Sequence, residues 1–144
     1  MVFRGGPVVS LDGKGRVTVP ARWRDMLVES CGGQLIVARK PDGCLGVYPP
    51  QVWEQIESTA LAMPAEFDAW RRFYVGSATE VEIDSASRLL VPPELRDWAG
   101  LTDKVKFMGV GSYFELWDTA RYEAHDQAER AKGMPEVLRN LVIR

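Results

Sequence analysis

Two stretches of this chain, 72 residues apart, are versions of one another. Asp12 through Asp25 aligns without gaps on Asp84 through Asp97, with six of the fourteen positions identical: Asp12/Asp84, Arg16/Arg88, Val19/Val91, Pro20/Pro92, Arg24/Arg96 and Asp25/Asp97. Apolar residues also answer each other at Val17/Leu89 and Trp23/Leu95. The correspondence continues more loosely, with Leu35-Ile36-Val37 against Val105-Lys106-Phe107, Val47-Tyr48 against Leu116-Trp117, and Trp53 against Tyr122. A duplicated unit of this size points to one small motif built twice, which sets how every later element is read.

Each copy predicts the same series of elements. Val8 to Leu11, and Thr79 to Ile83 with Glu80 and Glu82 alternating with Val81 and Ile83, have the period of half-buried strands. A short turn follows, then an apolar strand over Arg16 to Val19 or Arg88 to Val91. Proline ends that strand and suits the first turn of a helix running through Trp23 to Leu27 or Leu95 to Ala99. Hairpins come next: Leu35 to Ala38 with Leu45 to Tyr48 around Pro41-Asp42-Gly43, and Val105 to Met108 with Tyr113 to Trp117 around Gly109-Val110-Gly111-Ser112. Two helices connect the copies, one carrying Val52, Ile56, Ala60 and Met63, the other Phe67, Trp70 and Tyr74, a stripe expected to belong to the core. After the second copy, Asp118 is a good N-cap for a helix through Tyr122 and Ala128. Gly133-Met134-Pro135 breaks that helix before an amphipathic tail with Val137, Leu138 and Leu141.

Composition narrows the chemistry. With 144 residues and 46% hydrophobic content the chain can bury a real core, and no apolar run approaches the length of a membrane span. The opening Met1-Val2-Phe3-Arg4-Gly5-Gly6-Pro7 lacks the apolar segment of a signal peptide, so the expected location is the cytoplasm. Two cysteines, Cys31 and Cys44, are too few for a disulfide framework and are expected to be buried thiols. The single histidine, His125, lies in a polar helical segment with no nucleophile nearby, and is expected at the solvated surface. No metal-ligand spacing or phosphate-loop spacing occurs, so the chain is expected to be no enzyme and to need no cofactor, metal or small-molecule substrate.

The first turn, Leu11-Asp12-Gly13-Lys14-Gly15-Arg16, is the most informative segment. Two cations stand in a loop whose glycines remove side-chain bulk, so that its backbone can approach a surface such as a phosphate chain. The plainer reading is a hairpin turn closed by an Asp12–Arg16 ion pair. Net charge is −2, unusual for a nucleic-acid binder, so any such surface must be local. From Met1 through Arg24 the cations Arg4, Lys14, Arg16, Arg22 and Arg24 face only Asp12, whereas from Phe73 through Arg96 only Arg88 and Arg96 face Glu80, Glu82, Asp84 and Glu94. On this count the first copy is the better partner for a polyanion, and the second copy's Arg88 the lesser contact.

The sequence resembles the MraZ family, whose chains carry two SpoVT-AbrB-type domains, each marked by Asp-x-x-x-Arg. The matching segments are Phe3-Arg4-Gly5, Leu11 to Arg16 with Val19-Pro20-Ala21 and Arg24, Gly43-Cys44-Leu45, Tyr48-Pro49, Trp53-Glu54, Gly76 to Glu80, Asp84 with Arg88, and Arg96 to Leu101. The resemblance implies a β-rich α+β fold made of two tandem swapped-hairpin, AbrB-like barrel motifs. Its expected segments are a first domain over 5–51, a helical linker over 52–76, a second domain over 77–120 and a helical tail over 121–144. It also implies a sequence-specific, nucleoid-associated DNA-binding regulator that represses its own division and cell-wall gene cluster through repeated operator sites, assembled as a ring-like homo-oligomer. The family's DNA-contacting motif maps onto Asp12, Lys14 and Arg16 in copy one and onto Asp84 and Arg88, a possible second contact, in copy two; the expected DNA-binding set adds Gly13 and Gly15 of the same loop and the cations Arg4 and Arg22. Copy two departs from the family pattern in having Ala86-Ser87 before its arginine. Two rivals differ in their consequences. An antitoxin-like regulator would co-purify with a small basic partner, and an oligomeric scaffold would show no retention on DNA at low salt.

Overall fold

A computed structural model describes residues 1–143 and shows the β-rich α+β, swapped-hairpin architecture that the resemblance implies. In each copy two short strands precede a helix and a hairpin: β1 (Val8–Ser10), β2 (Arg16–Thr18), α1 (Ala21–Cys31), β3 (Gln34–Arg39) and β4 (Leu45–Tyr48) in the first. The second has β5 (Thr79–Glu82), β6 (Arg88–Leu90), α4 (Pro93–Ala99), β7 (Lys104–Gly109) and β8 (Phe114–Asp118). Between them lie α2 (Pro50–Leu61) and α3 (Asp68–Tyr74), and after them α5 (Thr119–Ala131) and α6 (Glu136–Ile143).

The strands exchange partners. One antiparallel sheet has the order β1-β7-β8-β4-β3-β5, so the first strand of each copy pairs with the hairpin of the other. Strand β1 sets Val9 opposite Val105, and its counterpart β5 sets Val81 opposite Leu35. Strands β2 and β6 leave this sheet and pair only with each other, Val17 opposite Leu89. Strands β4 and β8 meet with Gly46 opposite Glu115. The pairings map onto themselves when the copies are interchanged, which defines an internal two-fold through the Val17/Leu89 and Gly46/Glu115 pairs. Neither copy could bury its apolar face without the other.

Alternation places the core. Val17, Leu89, Val37, Phe107, Phe114 and Leu116 point inward and are buried with Trp23 and Leu27 of α1 and Leu95 and Ala99 of α4. Trp23 sits at the centre of an aromatic group, 5.0 Å from the Phe114 ring centroid and 5.5 Å from that of Phe3. Both inner helices end on glycines in the left-handed region, Gly32 at φ 64° and Gly100 at φ 69°, where a side chain would be strained. The outer face of the sheet is covered by α2 over β3 and by α5 over β7 and β8. Helix α5 starts as its sequence predicts, with the Asp118 carboxylate accepting from the Arg121 amide at 3.0 Å.

Three expectations change. Cys44 is buried but Cys31 is only half-buried, its thiol donating to the Leu27 carbonyl at 3.2 Å. His125 is half-buried rather than solvated, its ring 5.1 Å from that of Trp117, because Tyr122 and His125 lie one helical turn apart on the face of α5 that meets the sheet. Phe67 and Trp70 are not core residues but stand 41% and 55% exposed.

Candidate nucleic-acid interface

The two turns are built alike and by the same hydrogen bonds. In the first, Asp12 Oδ1 accepts from the amides of Lys14 and Arg16, both at 2.9 Å, and Asp12 Oδ2 accepts from Arg16 Nε at 2.8 Å. In the second, Asp84 Oδ1 accepts from the amides of Ala86 and Arg88 at 2.9 Å, and Oδ2 from Arg88 Nε at 3.0 Å. These donors favour the ionised carboxylate. The Arg16 amide, with the Arg16 side chain and the Lys14 amide, holds Asp12 down to about 2 against an ordinary 3.8, and the Arg88 amide leads a similar lowering at Asp84.

The residue before each arginine must turn through the left-handed region. Gly15 does so at φ 82° and Ser87 at φ 65°, the one non-glycine residue with positive φ among the described residues. That is why the departure from glycine at position 87 leaves the second turn intact, at a steric cost glycine avoids.

The ion pair of the plainer reading is therefore present, and it does not use up the arginine. Nε alone is committed to the aspartate, while the terminal nitrogens of Arg16 and Arg88 make no hydrogen bond among the described residues. A guanidinium held by its inner nitrogen keeps its outer edge available for a bidentate contact in a fixed direction.

Pairing of β2 with β6 then brings the two arginines together. Val17 and Leu89 face the core, so Arg16, Thr18, Arg88 and Leu90 face outward. Arg16 lies opposite Leu90 and Thr18 opposite Arg88, which makes the arginines diagonal neighbours, about 7–8 Å apart, on the exposed face of a two-stranded ribbon.

The exchange of partners also redistributes charge. Val19 donates its amide to the Ser87 carbonyl and Val91 donates to that of Gly15, so each helix start is tied to the turn of the other copy. Arg24 of α1 reaches Ser87 Oγ at 3.0 Å, and the equivalent Arg96 of α4 lies over Gly15. Arg22 stands exposed in the first turn of α1, and Glu94 exposed in the first turn of α4. Arg24 and Arg96 thus exchange places, so each turn has an arginine of the other copy beside it. Arg24 and Arg96, absent from the sequence-based set, flank both turns, and their signal was visible as one of the six identities of the repeat.

Arg4 is not brought to this surface. Residues 3–10 run antiparallel to residues 104–111, with Phe3 bridging Gly111 and Ser10 opposite Lys104. Arg4 therefore stands at the far end of this run, about 26 Å from Asp12 at strand rise.

Comparison with known proteins agrees with the repeat. The model of the family described as "MraZ protein, putative antitoxin-like" matches twice, over residues 2–75 and 74–136. The chain is 45% identical over 142 residues to proteins named "Transcriptional regulator MraZ" from Burkholderia cenocepacia, Burkholderia lata and Burkholderia thailandensis, covering 99% of this chain and 100% of each relative.

Proposed function

The chain belongs to the MraZ family, and from that premise we propose that it is a transcriptional regulator whose β2–β6 ribbon binds double-stranded DNA. One observation carries this reading: two arginines, each anchored through Nε, present their outer edges on one exposed face of a two-stranded ribbon. The major groove, roughly 12 Å wide, admits such a ribbon, and an arginine edge matches the acceptor pair of guanine.

In this reading Arg16 and Arg88 read bases, while Asp12 and Asp84 fix their direction. Gly13 and Gly15 let the first turn approach the duplex, and Lys14 holds phosphate. Arg22, Arg24 and Arg96 flank the groove walls, and Arg4 makes no contact with the same groove. The protein represses its own division and cell-wall gene cluster from repeated operator sites, in the cytoplasm at the nucleoid, as a closed homo-oligomer. No helix among the described residues is long and apolar enough to cross a membrane. The regulator carries no catalysis, no cofactor and no toxin partner.

The test is genome-wide mapping of the bound sites, beginning with the region upstream of the protein's own gene. Enrichment of short repeated sites there is the expected result. A flat map, together with no retention on duplex DNA at low salt, would leave the oligomeric scaffold as the better account.

A further inference from the structure

The outer face of the β2–β6 ribbon holds Arg16, Thr18, Arg88 and Leu90, three side chains that are charged or polar and one that is wholly apolar. Leu90 is 51% exposed. A single exposed leucine is ordinary on a protein surface. This one is fixed by strand register beside the arginines whose outer edges are free.

The four positions are the corners of a rectangle. Arg16 lies directly opposite Leu90 and Thr18 directly opposite Arg88, so the arginines occupy one diagonal and Thr18 with Leu90 the other. Directly opposed residues have Cβ atoms about 4.5–5.5 Å apart, and outward residues of one strand follow each other at about 6.8 Å. Bases along a strand of duplex DNA repeat at about 3.4 Å. When both arginines reach base edges, Leu90 therefore stands about one or two base steps from the base that Arg16 contacts.

Chemistry then selects what Leu90 can meet. Its side chain has no donor or acceptor, so against the polar edges of guanine, cytosine or adenine it would displace water and return no hydrogen bond. Thymine alone carries an apolar group into the major groove, its C5-methyl. We propose that Leu90 is a specificity-determining residue that packs on the C5-methyl of a thymine about one or two base steps from the guanine read by Arg16. The contact is one-sided. The internal two-fold carries Arg16 onto Arg88 but Leu90 onto Thr18, whose hydroxyl and single methyl group form a smaller, partly polar surface. The two arginines thus select the same base, and the residues beside them do not. This inference rests on the ribbon reading of the proposed function and names a further base that the ribbon selects.

The experiment uses the full-length protein and the duplex that wild type selects from a random pool. Each thymine of that duplex is replaced in turn by deoxyuridine, which keeps the base pair and removes only the C5-methyl. Wild type should bind about fourfold more weakly when the contacted thymine is changed, the worth of one buried methyl-sized group. Leu90→Ala should show at least that loss on the thymine duplex already, and should not distinguish thymine from uracil at that position. The two affinities are compared within one variant, so a change in ribbon stability cancels. Thr18→Ala should keep the wild-type discrimination there, and Leu90→Ala, which removes no cation, should leave the salt slope unchanged. Equal binding by wild type at every substituted position, or undiminished discrimination by Leu90→Ala, would overturn the proposal. Arg16→Ala and Arg88→Ala are titrated alongside. Wild-type selectivity in both would count against the ribbon itself, whereas its loss in both, with methyl discrimination intact in Leu90→Ala, would count against this inference alone.

Discussion

Gly15→Ala tests whether the turn before Arg16 is held as the structure shows. Gly15 sits at φ 82° and its carbonyl accepts from the Val91 amide at 2.9 Å, so the backbone cannot relax without breaking the tie between the copies. An alanine in the left-handed region costs about 1–2 kcal/mol. The new Cβ would also fall on the Arg96 guanidinium, the movable end of a flexible side chain, so Arg96 gives way while the backbone keeps its strain. For a domain of this size each kcal/mol corresponds to roughly 3–4 °C in Tm, which puts the expected loss at about 3–8 °C.

The internal two-fold supplies a control. Ser87→Gly relieves a comparable steric cost at φ 65° but removes the hydroxyl that accepts from Arg24 at 3.0 Å. A hydrogen bond of this sort contributes about 0.5–1.5 kcal/mol, so the two effects offset and Tm should move little. Calorimetry of both variants decides the matter. An unchanged Tm for Gly15→Ala, or a loss for Ser87→Gly as large as that for Gly15→Ala, would refute the reasoning.

Phe107→Ala removes a fully buried ring stacked 5.7 Å from Phe114 and should cost about 3–5 kcal/mol in denaturant unfolding. Lys40 donates to Glu115 at 2.6 Å and to the Tyr113 hydroxyl at 2.6 Å; burial opposes its charge, but these partners win and push its ammonium up. Lys40→Met therefore strands a buried carboxylate at a cost of about 3–5 kcal/mol, and adding Glu115→Leu should restore most of it in the same assay. Because Asp12 is depressed to about 2, its contribution to the turn is complete above 3.8 and is lost only as pH falls toward about 2. Carboxyl resonances should report that low midpoint, and Arg16→Ala should raise it only in part, because the Arg16 and Lys14 amides still donate to the carboxylate. Replacing Cys31 and Cys44 together with small residues should leave DNA affinity unchanged when titrated against duplex, since neither thiol lies on the ribbon.

Much of the architecture was legible because the repeat doubles every signal. The alternation in Thr79 to Ile83 and the proline after each second strand locate elements, and the shared Asp-x-x-x-Arg locates both turns. Partner exchange was legible only through the family resemblance, since alternation at Val8 and Val9 tells which face is buried and not which strand supplies the neighbour. That gap hides which side chains become neighbours: Arg24 is eight residues from Arg16 in the chain yet hydrogen-bonds in the turn that precedes Arg88, while Arg96 lies over Gly15. The distance of Arg4 from the turn was likewise not legible, since it follows from the run of residues 3–10 alongside residues 104–111. The requirement for a left-handed residue at Ser87 emerges only by alignment with Gly15. Phe67 stays exposed in the turn over Ala65–Phe67 and Trp70 on the two-turn helix α3 that follows it, which buries no residue fully.

The central claim is that one ribbon, with an arginine from each copy, contacts DNA. It is tested most directly by titrating wild type, Arg16→Ala, Arg88→Ala and Lys14→Ala against the promoter duplex and a scrambled duplex at two salt concentrations, after each variant is shown to keep its assembly. Loss of one bidentate base contact corresponds to about 1–3 kcal/mol, or roughly 5- to 150-fold in affinity, so both arginine variants should lose preference for the promoter by similar factors. Lys14→Ala should instead weaken binding to both duplexes and reduce the salt slope by about 1, as a lost phosphate contact does. Arg88→Ala binding like wild type while Arg16→Ala loses all preference would contradict the shared ribbon and confine recognition to the first copy.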